Sequence, residues 1–267
     1  MNQSAERMPS GAMSDEPAGM GDARERRNPL LETALFKQVS EEQARELVPY
    51  LHHEEYDKGE YIFTEGDTDQ RMYVIQEGRV KLTRQSVDKR VQLLSIHTRG
   101  ELLGEIPVFD PQGGPRTANA VAMVDGTQVV WLDHDALFAW LSKYPGVAVD
   151  MLQVLANRMR ANNERIADLV FSDVPGRLAK TLLSLASRFG KPVEEGLQVP
   201  HDLTQEEMAQ LVGSSRETVN KALMDLRTGL DCTQRPHYNH LQRELSSAVP
   251  SGRHAVSGSR YANLSVV

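Results

Sequence analysis

A single cysteine, Cys232, stands in a chain of 267 residues. Neither an internal disulfide nor a cluster held by several thiolates of one chain can therefore form. Aromatic residues make up only 6%, and no apolar run approaches the roughly 20 residues that a membrane-spanning helix needs. Basic residues do not prevail either: 30 Lys and Arg face 37 Asp and Glu, for a net charge of −7. Nucleic-acid binders normally carry a basic footprint, so this balance speaks against nucleic acid unless a small basic patch acts from an acidic body. One thiol and no signal-peptide pattern point to a reducing cytoplasm and to no membrane partner. The length allows two modest cores, a sensor and a smaller effector domain.

What is present falls into segments of distinct texture. Residues 1–28 are rich in Ser, Gly, Pro, Met and charge, and are read as a disordered tail. Leu30–Leu51 carries a helical pattern, with Ser40 placed to cap a second short helix. Short runs of β-branched and aromatic residues follow: EYIF, RMYVIQ, RVKLTR, VQLLSIH, ANAVAMV and TQVVWL, separated by Gly- and Asp-containing turns. Such regular short strands predict an antiparallel roll, barrel or sandwich. A helical segment, DALFAWLSKY, closes this unit before Pro145.

A long helix is predicted from about Gly146 to Phe171. Its apolar positions Ala148, Leu152, Leu155, Met159, Ile166 and Leu169 alternate in steps of four and three once Asn162 fills the gap. That stripe is narrower than a core-facing helix needs and suits pairing of two copies, against the plainer option of a helix packed on its own domain. Asp173–Gly176 reads as a hinge. A helix through RLAKTLLSLASRF then stops at Gly190-Lys191-Pro192, and an extended LQVPHD leads to LTQEEMAQLVG and SSRETVNKALMDL. Thr204 with Glu207 has capping-box spacing, and Gly213 can turn the chain between two short helices, the second opening on Ser214 or Ser215.

That is a helix-turn-helix. Its first turn presents Ser215, Arg216, Glu217 and Thr218 together, with Lys221 one turn further. A recognition helix in the major groove needs short hydroxyls for phosphate, a guanidinium for guanine and a carboxylate for cytosine amino groups. Val219, Ala222 and Leu223 would face inward. The plain alternative is an ordinary capped surface helix.

A second constellation lies among the strands, at Gly104-Glu105 and Arg116-Thr117. A buried phosphodiester is best held by a bidentate guanidinium. Arg116 fits, with the Thr117 hydroxyl as a second donor. Gly104 would let backbone approach closely, and Glu105 could accept from a ribose hydroxyl. Spacing alone leaves this open against a structural Arg116–Glu105 ion pair in an empty roll. The cluster His52-His53-Glu54-Glu55 lacks a nucleophile–base pair or metal spacing, so an enzyme is not expected, nor any metal or cofactor.

Leu35 to Leu226 resembles the cyclic AMP receptor/fumarate–nitrate regulator family. The likeness is carried by GELLGEIPVFD, PRTANAVA, the helix ending NNERIADLVFSDVPGR, and LTQEEMAQLVGSSRETVNKAL, in that order. It is most similar to the cyclic AMP receptors, whose phosphate-binding Gly-Glu and Arg-Ser/Thr pairs match Gly104-Glu105 and Arg116-Thr117. Iron–sulfur members need cysteines that are absent, and the scattered histidines suggest no haem ligand. The resemblance implies an α+β fold. Residues 29–145 would form a jelly-roll-like cyclic-nucleotide-binding β-roll, 146–172 a dimerisation helix and 173–227 the DNA-binding domain. It further implies that Asn162 and Asn163 contact adenine, one from each subunit, and that Arg158 lies near the nucleotide. Cyclic AMP is the implied effector, double-stranded DNA, a second copy of the chain and RNA polymerase the implied partners, and Thr204 and Ser214 join the DNA-contacting set. The family mechanism would be a ligand-driven population shift that sets the spacing of two recognition helices.

After Arg227 the chain departs from that pattern. Winged members continue with a β-hairpin, whereas residues 228–267 show neither helical nor strand period and read as an aberrant, disordered tail without a wing. Shifted by one nucleotide, suitable codons for Thr228–Cys232 spell Arg-Gly-Trp-Ile, the start of the missing hairpin, so a frameshift near Leu226–Arg227 is the expectation. A cyclic-nucleotide-binding dimer with impaired DNA binding is the alternative reading.

Overall fold

The computed structural model describes residues 39–193 and 196–228. The tail expected at 1–28, the start of the helix expected from Leu30, and the segment expected to lack a wing beyond Thr228 lie outside the described residues. Within them, the chain opens with α1 (Glu41–Arg45) and a 3-10 turn at Val48–Tyr50. Ser40 caps α1 reciprocally with Gln43: its hydroxyl accepts from the Gln43 N–H at 3.2 Å, and Gln43 Oε1 accepts from the Ser40 N–H at 2.9 Å. Strands β1 (His52–Tyr56), β2 (Tyr61–Phe63), β3 (Arg71–Glu77), β4 (Arg79–Gln85), β5 (Val91–Thr98) and β6 (Leu102–Leu103) follow, then α2 (Glu105–Phe109), β7 (Asn119–Ala122), β8 (Thr127–Asp133) and α3 (His134–Lys143).

The strands form two four-stranded antiparallel sheets, in orders β1-β8-β3-β6 and β2-β7-β4-β5. The alternation of β3 explains why they close into a roll. All four of Met72, Tyr73, Val74 and Ile75 are buried, but on different cores. Met72 and Val74 face Leu47, Leu137, Trp140 and Met151 of the helices. Tyr73 and Ile75 face Phe63, Val80, Leu103 and Val129 inside the roll. A strand covered on both faces reads as a continuous apolar run, and its period of two sorts the side chains.

The six expected strand runs correspond to β2, β3, β4, β5, β7 and β8. Strand β1 was not anticipated, because HHEEY has no apolar alternation. It pairs at the sheet edge with β8, where His52 stacks on Trp131 with centroids 3.9 Å apart and Glu54 accepts from Trp131 Nε1 at 2.8 Å. The two-residue β6 and the five-residue α2 were too short to show a period.

The long helix α4 (Pro145–Phe171) begins one residue before its expected start. Val147 and Met151 are buried against the roll, while Leu152, Met159, Ile166 and Leu169 are 56–67% exposed. The predicted seam is therefore a free apolar stripe in the single chain, with Leu155 half-buried. Helix α5 (Val174–Phe189) follows at once. Asp173 Oδ1 accepts from the Gly176 N–H at 2.9 Å, so of the segment expected to hinge only Asp173, with Ser172 before it, lies outside the two helices and Gly176 is inside α5. The hairpin β9 (Lys191–Val193) and β10 (Gly196–Gln198), unforeseen in a Gly- and Pro-containing stretch, leads to α6 (Gln205–Val212) and α7 (Arg216–Thr228). Helix α7 opens at Arg216, one residue after Ser215 and two after Ser214, the two expected starts. The Ser215 hydroxyl accepts from the Thr218 N–H at 3.2 Å.

The C-terminal unit is docked on the roll. Leu93, Ile96 and Met123 of the roll share one core with Leu178, Leu182, Leu185, Met208, Val212 and Val219. Polar ties flank it: Lys81 Nζ to Glu207 Oε1 at 2.7 Å, Arg188 Nη2 to Glu101 at 2.8 Å, the Leu93 N–H to Gln210 Oε1 at 3.1 Å, and Arg79 to Asp202.

Candidate functional site

Among the described residues, two constellations correspond to the candidate sites. The first is built around Arg116, the largest side chain buried completely, at 2% exposed. Its backbone is pinned on both sides: the Arg116 N–H donates to Asp67 O at 2.7 Å, and Arg116 O accepts from the Gly66 N–H at 2.9 Å. The guanidinium lies 4.4 Å from the Phe63 ring and 5.4 Å from Tyr73, positions favourable for a cation over an aromatic face. Nη1 donates to Gly104 O at 2.8 Å, Nη2 to Arg71 O at 2.8 Å, and Nε and Nη2 face the Asp69 carboxylate. A buried cation without partners costs several kcal/mol, and two carbonyls and a carboxylate around it suit the N–H donors of a guanidinium.

Gly104 is required here on two counts. It sits at φ 75°, in the left-handed region, and a Cβ would lie 2.2 Å from Arg116 Nη1 and 3.0 Å from Arg71 O. Glu105 follows directly, and Arg158 of α4 reaches it: Nη1 to Glu105 Oε1 is 2.8 Å, and Nη2 donates to Leu102 O at 2.7 Å. The Arg116–Glu105 ion pair considered from spacing is therefore not formed. Arg116 takes Asp69, and Glu105 takes Arg158. Helix α4 is thereby tied to the segment that precedes Arg116 in the roll.

Thr117 is exposed beside Arg116, and Asn162 and Asn163 are exposed on α4 about one turn beyond Arg158. The structure thus brings Gly104, Glu105, Arg116 and Arg158 into one linked network, and leaves the two Asn side chains on the outward part of α4. Asp69 and Arg71 were missed in the sequence because their role arises from a contact some 45 residues away in the chain. A cleft of about 890 Å³ lies elsewhere on the roll, lined by Glu46, Tyr50, Arg71, His134, Asp135 and Trp140 among others. Neither Arg116 nor Gly104 contributes to it.

The second site is the helix pair α6–α7. Thr204 and Glu207 form the expected capping box: the Glu207 N–H donates to Thr204 Oγ1 at 3.1 Å, and the Thr204 N–H to Glu207 Oε2 at 2.9 Å. Glu207 also grips Lys81, and its carboxyl stays below the usual range because that ion pair and the Thr204 hydrogen bonds outweigh the upward push of burial. Gly213 turns the chain at φ 71°, and a Cβ there would meet Leu169 Cδ2 at 2.8 Å, which packs the end of α4 against the turn. Arg177 braces the same turn, donating from Nε to Val212 O at 2.8 Å and from Nη1 to Ser172 O at 2.7 Å. The hinge and the turn are thus held by one side chain.

Val219 and Ala222 are buried, and Leu223 is half-buried, as expected for the inward face of α7. Ser215, Arg216, Glu217, Thr218 and Lys221 are exposed together, and Ser214 is half-buried. Gln205, which sequence reasoning passed over, ties α6 to the exposed face of α7: its Oε1 accepts from Arg216 Nε at 3.1 Å, Arg216 Nη2 at 3.0 Å and Asn220 Nδ2 at 3.2 Å. Among the described residues no group of His, Cys, Asp and Glu could hold a metal ion, His52–Glu55 included. No helix among them is long and apolar enough to cross a membrane.

Comparison with known proteins matches residues 53–144 to the cyclic nucleotide-binding domain and residues 176–229 to the Crp-like helix-turn-helix domain. The CRP-like cAMP-activated global transcriptional regulator of Mycobacterium tuberculosis is 44% identical over 196 residues, which is 73% of this chain and 86% of the relative. The cyclic AMP receptor protein of Thermus thermophilus is 31% identical over 189 residues, covering 71% of this chain and 83% of that protein. Among solved structures, the c-di-GMP-responsive global regulator CLP of Xanthomonas campestris superposes with a TM-score of 0.61 at 21% identity, over 71% of this chain and 93% of that one. That last likeness speaks for the fold.

Proposed function

We propose, from the premise that this chain belongs to the cyclic AMP receptor/fumarate–nitrate regulator family, a division of labour among its residues with cyclic AMP as the effector. The protein is a ligand-responsive, DNA-binding transcription regulator and not an enzyme. Residues 29–145 sense the nucleotide, 146–172 pair two copies, and 173–227 read DNA. In the sensor, Arg116 holds the effector's phosphate with help from Thr117 and the close backbone at Gly104. Glu105 binds the ribose, held in place by Arg158. Asn162 and Asn163 offer amide donors and acceptors to adenine from the paired α4 helices. Thr204, Ser214, Ser215 and Thr218 contact DNA phosphates, while Arg216, Glu217 and Lys221 face the major groove. The setting is cytoplasmic, and RNA polymerase is the further partner through which a bound dimer changes transcription.

The observation that carries this reading is the buried Arg116 guanidinium, set beside Gly104 and linked through Glu105 and Arg158 to the exposed apolar stripe of α4. A ligand that engages this network touches both the roll and the helix that pairs the dimer. A population shift requires that such a ligand bind two dimer arrangements unequally, and contacts to both roll and α4 are where that difference would arise. Analytical ultracentrifugation should show a dimer. Calorimetry with cyclic AMP and cyclic GMP should show one high-affinity nucleotide, cyclic AMP. Equal binding of the two, or of neither, would contradict the effector assignment.

A further inference from the structure

We propose that Asp69 is an internal stand-in for the effector's phosphate, occupying the Arg116 fork until ligand displaces it; the proposal rests on the reading of Arg116 as the phosphate-binding residue. The guanidinium offers five N–H donors, and the edge formed by Nε and Nη2 is its two-pronged fork for an oxyanion. That edge is taken. Nε stands 3.4 Å from Asp69 Oδ2, and Nη2 hydrogen-bonds Asp69 Oδ1. The other bonds run from Nη1 to Gly104 O and from Nη2 to Arg71 O, both at 2.8 Å.

These partners differ in what they can do. Gly104 O and Arg71 O are backbone carbonyls, one at the left-handed N-cap of α2 directly after β6 and the other in the first residue of β3, and neither can move without its backbone. Asp69 is a side chain in the turn before β3, 31% exposed where the Arg116 side chain is 1% exposed. Its Oδ1 also accepts from the Arg71 N–H at 3.2 Å, so a side-chain rotation that frees the fork gives up one backbone hydrogen bond, whereas moving either carbonyl would move the chain itself. An incoming phosphodiester carries one negative charge, so exchanging it for the carboxylate leaves the buried cation paired at either end of the exchange. A protein without such a placeholder would have to bury Arg116 unpaired in its ligand-free state, at a cost of several kcal/mol.

Two consequences follow. The apparent affinity is the intrinsic affinity reduced by the fraction of molecules in which Asp69 holds the fork. The site also discriminates by what surrounds the anion. A bare phosphate gains only what Asp69 already provides, whereas a nucleotide adds contacts to Glu105 and to α4. Asp69 therefore keeps the site closed to inorganic phosphate.

The opposite role is a permanent positioning partner that aims Arg116 at the ligand, and the two roles predict opposite signs. Asp69→Asn preserves shape and one acceptor, and Asp69→Ser an acceptor in a smaller volume, so two variants carry the test. Titration calorimetry of cyclic AMP into the full chain should show both binding about tenfold more tightly than wild type, the scale of one charge-assisted hydrogen bond. Their ligand-free melting temperatures should fall, and the rise on adding cyclic AMP should grow. Competition by inorganic phosphate should become measurable. Unchanged or weaker cyclic AMP binding in folded Asp69 variants overturns the stand-in. Arg116→Leu, alone and combined with Asp69→Asn, separates the underlying reading: it should abolish binding in both backgrounds. Wild-type binding by Arg116→Leu would overturn the phosphate site itself, whatever the Asp69 variants do.

Discussion

The Arg116 cradle and the α6–α7 pair are built in opposite ways. The cradle gathers Phe63, Asp69, Arg71, Tyr73, Gly104 and Arg116 from scattered parts of the roll, and Arg158 reaches in from α4. Its key cation is completely buried. The proposed reading unit is confined to Thr204–Lys221, and Ser215, Arg216, Glu217, Thr218 and Lys221 in it are exposed. A site that must desolvate a small anion needs many remote groups to hold one charge in place. A site that meets a large polyanion needs only a short helix presented outward. What joins them is the docked core around Leu93, Met208 and Val212, and the Arg177 brace between hinge and turn. The two regions should accordingly fail in different ways.

The sharpest division comes from Arg116→Leu. Cyclic AMP binding should drop by more than about a hundredfold, the scale of two charge-assisted hydrogen bonds. DNA affinity in the absence of ligand should not change. Loss of both together, in a folded variant, would show that the regions are not separable in this way. Arg216→Ala is the converse. Specific DNA binding should weaken by about 1–3 kcal/mol with relaxed base preference at one position, while calorimetry with cyclic AMP stays as in wild type.

A smaller effect is expected where the regions touch. Thr204→Ala removes the α6 cap and should lower stability by about 1 kcal/mol. Because Glu207 serves both that cap and Lys81 of the roll, the double variant with Lys81→Ala should cost less than the two single effects added. Additive melts would contradict this coupling. The gentlest probe is pH. His201 is buried at the docked face, and its Nδ1 accepts from the Leu203 N–H at 2.9 Å. Burial, and then the nearby Arg79 charge, hold its pKa below the ordinary 6.5. A depressed pKa stabilises the fold fully above about pH 6.5 and progressively less as pH falls. Thermal melts should therefore drop between pH 7.5 and 5.5, and His201→Gln should flatten that slope. A slope unchanged by the substitution would remove His201 as its source.

The same contrast decides what could be read in advance. Thr204, Glu207, Gly213, and the inward Val219 and Ala222 follow one another at steps of three to six residues. Helical periodicity and cap chemistry suffice to place them. The strand runs of the roll were legible for the same reason, as was the stripe from Leu152 to Leu169. Gly104, Glu105 and Arg116 could be singled out, and Arg158 through the family resemblance, but not Asp69 and not which of these residues pair. Asp69 and Arg158 meet them only because antiparallel strands and a crossing helix bring distant positions together. Gln205 escaped notice because its role is to hold Arg216 eleven residues on, across the turn. Strand β1 escaped because its polar face is satisfied by Trp131, not by solvent alone.

The central claim is that occupancy of the Arg116 cradle sets how well the exposed face of α7 meets DNA. Its most direct test is the affinity of the full chain for a duplex carrying two half-sites one helical turn apart, selected from a randomised pool and measured by fluorescence anisotropy with and without cyclic AMP. The account predicts that cyclic AMP tightens binding by about tenfold or more in wild type and leaves Arg116→Leu unaffected. The same affinity with and without the nucleotide in wild type would contradict it.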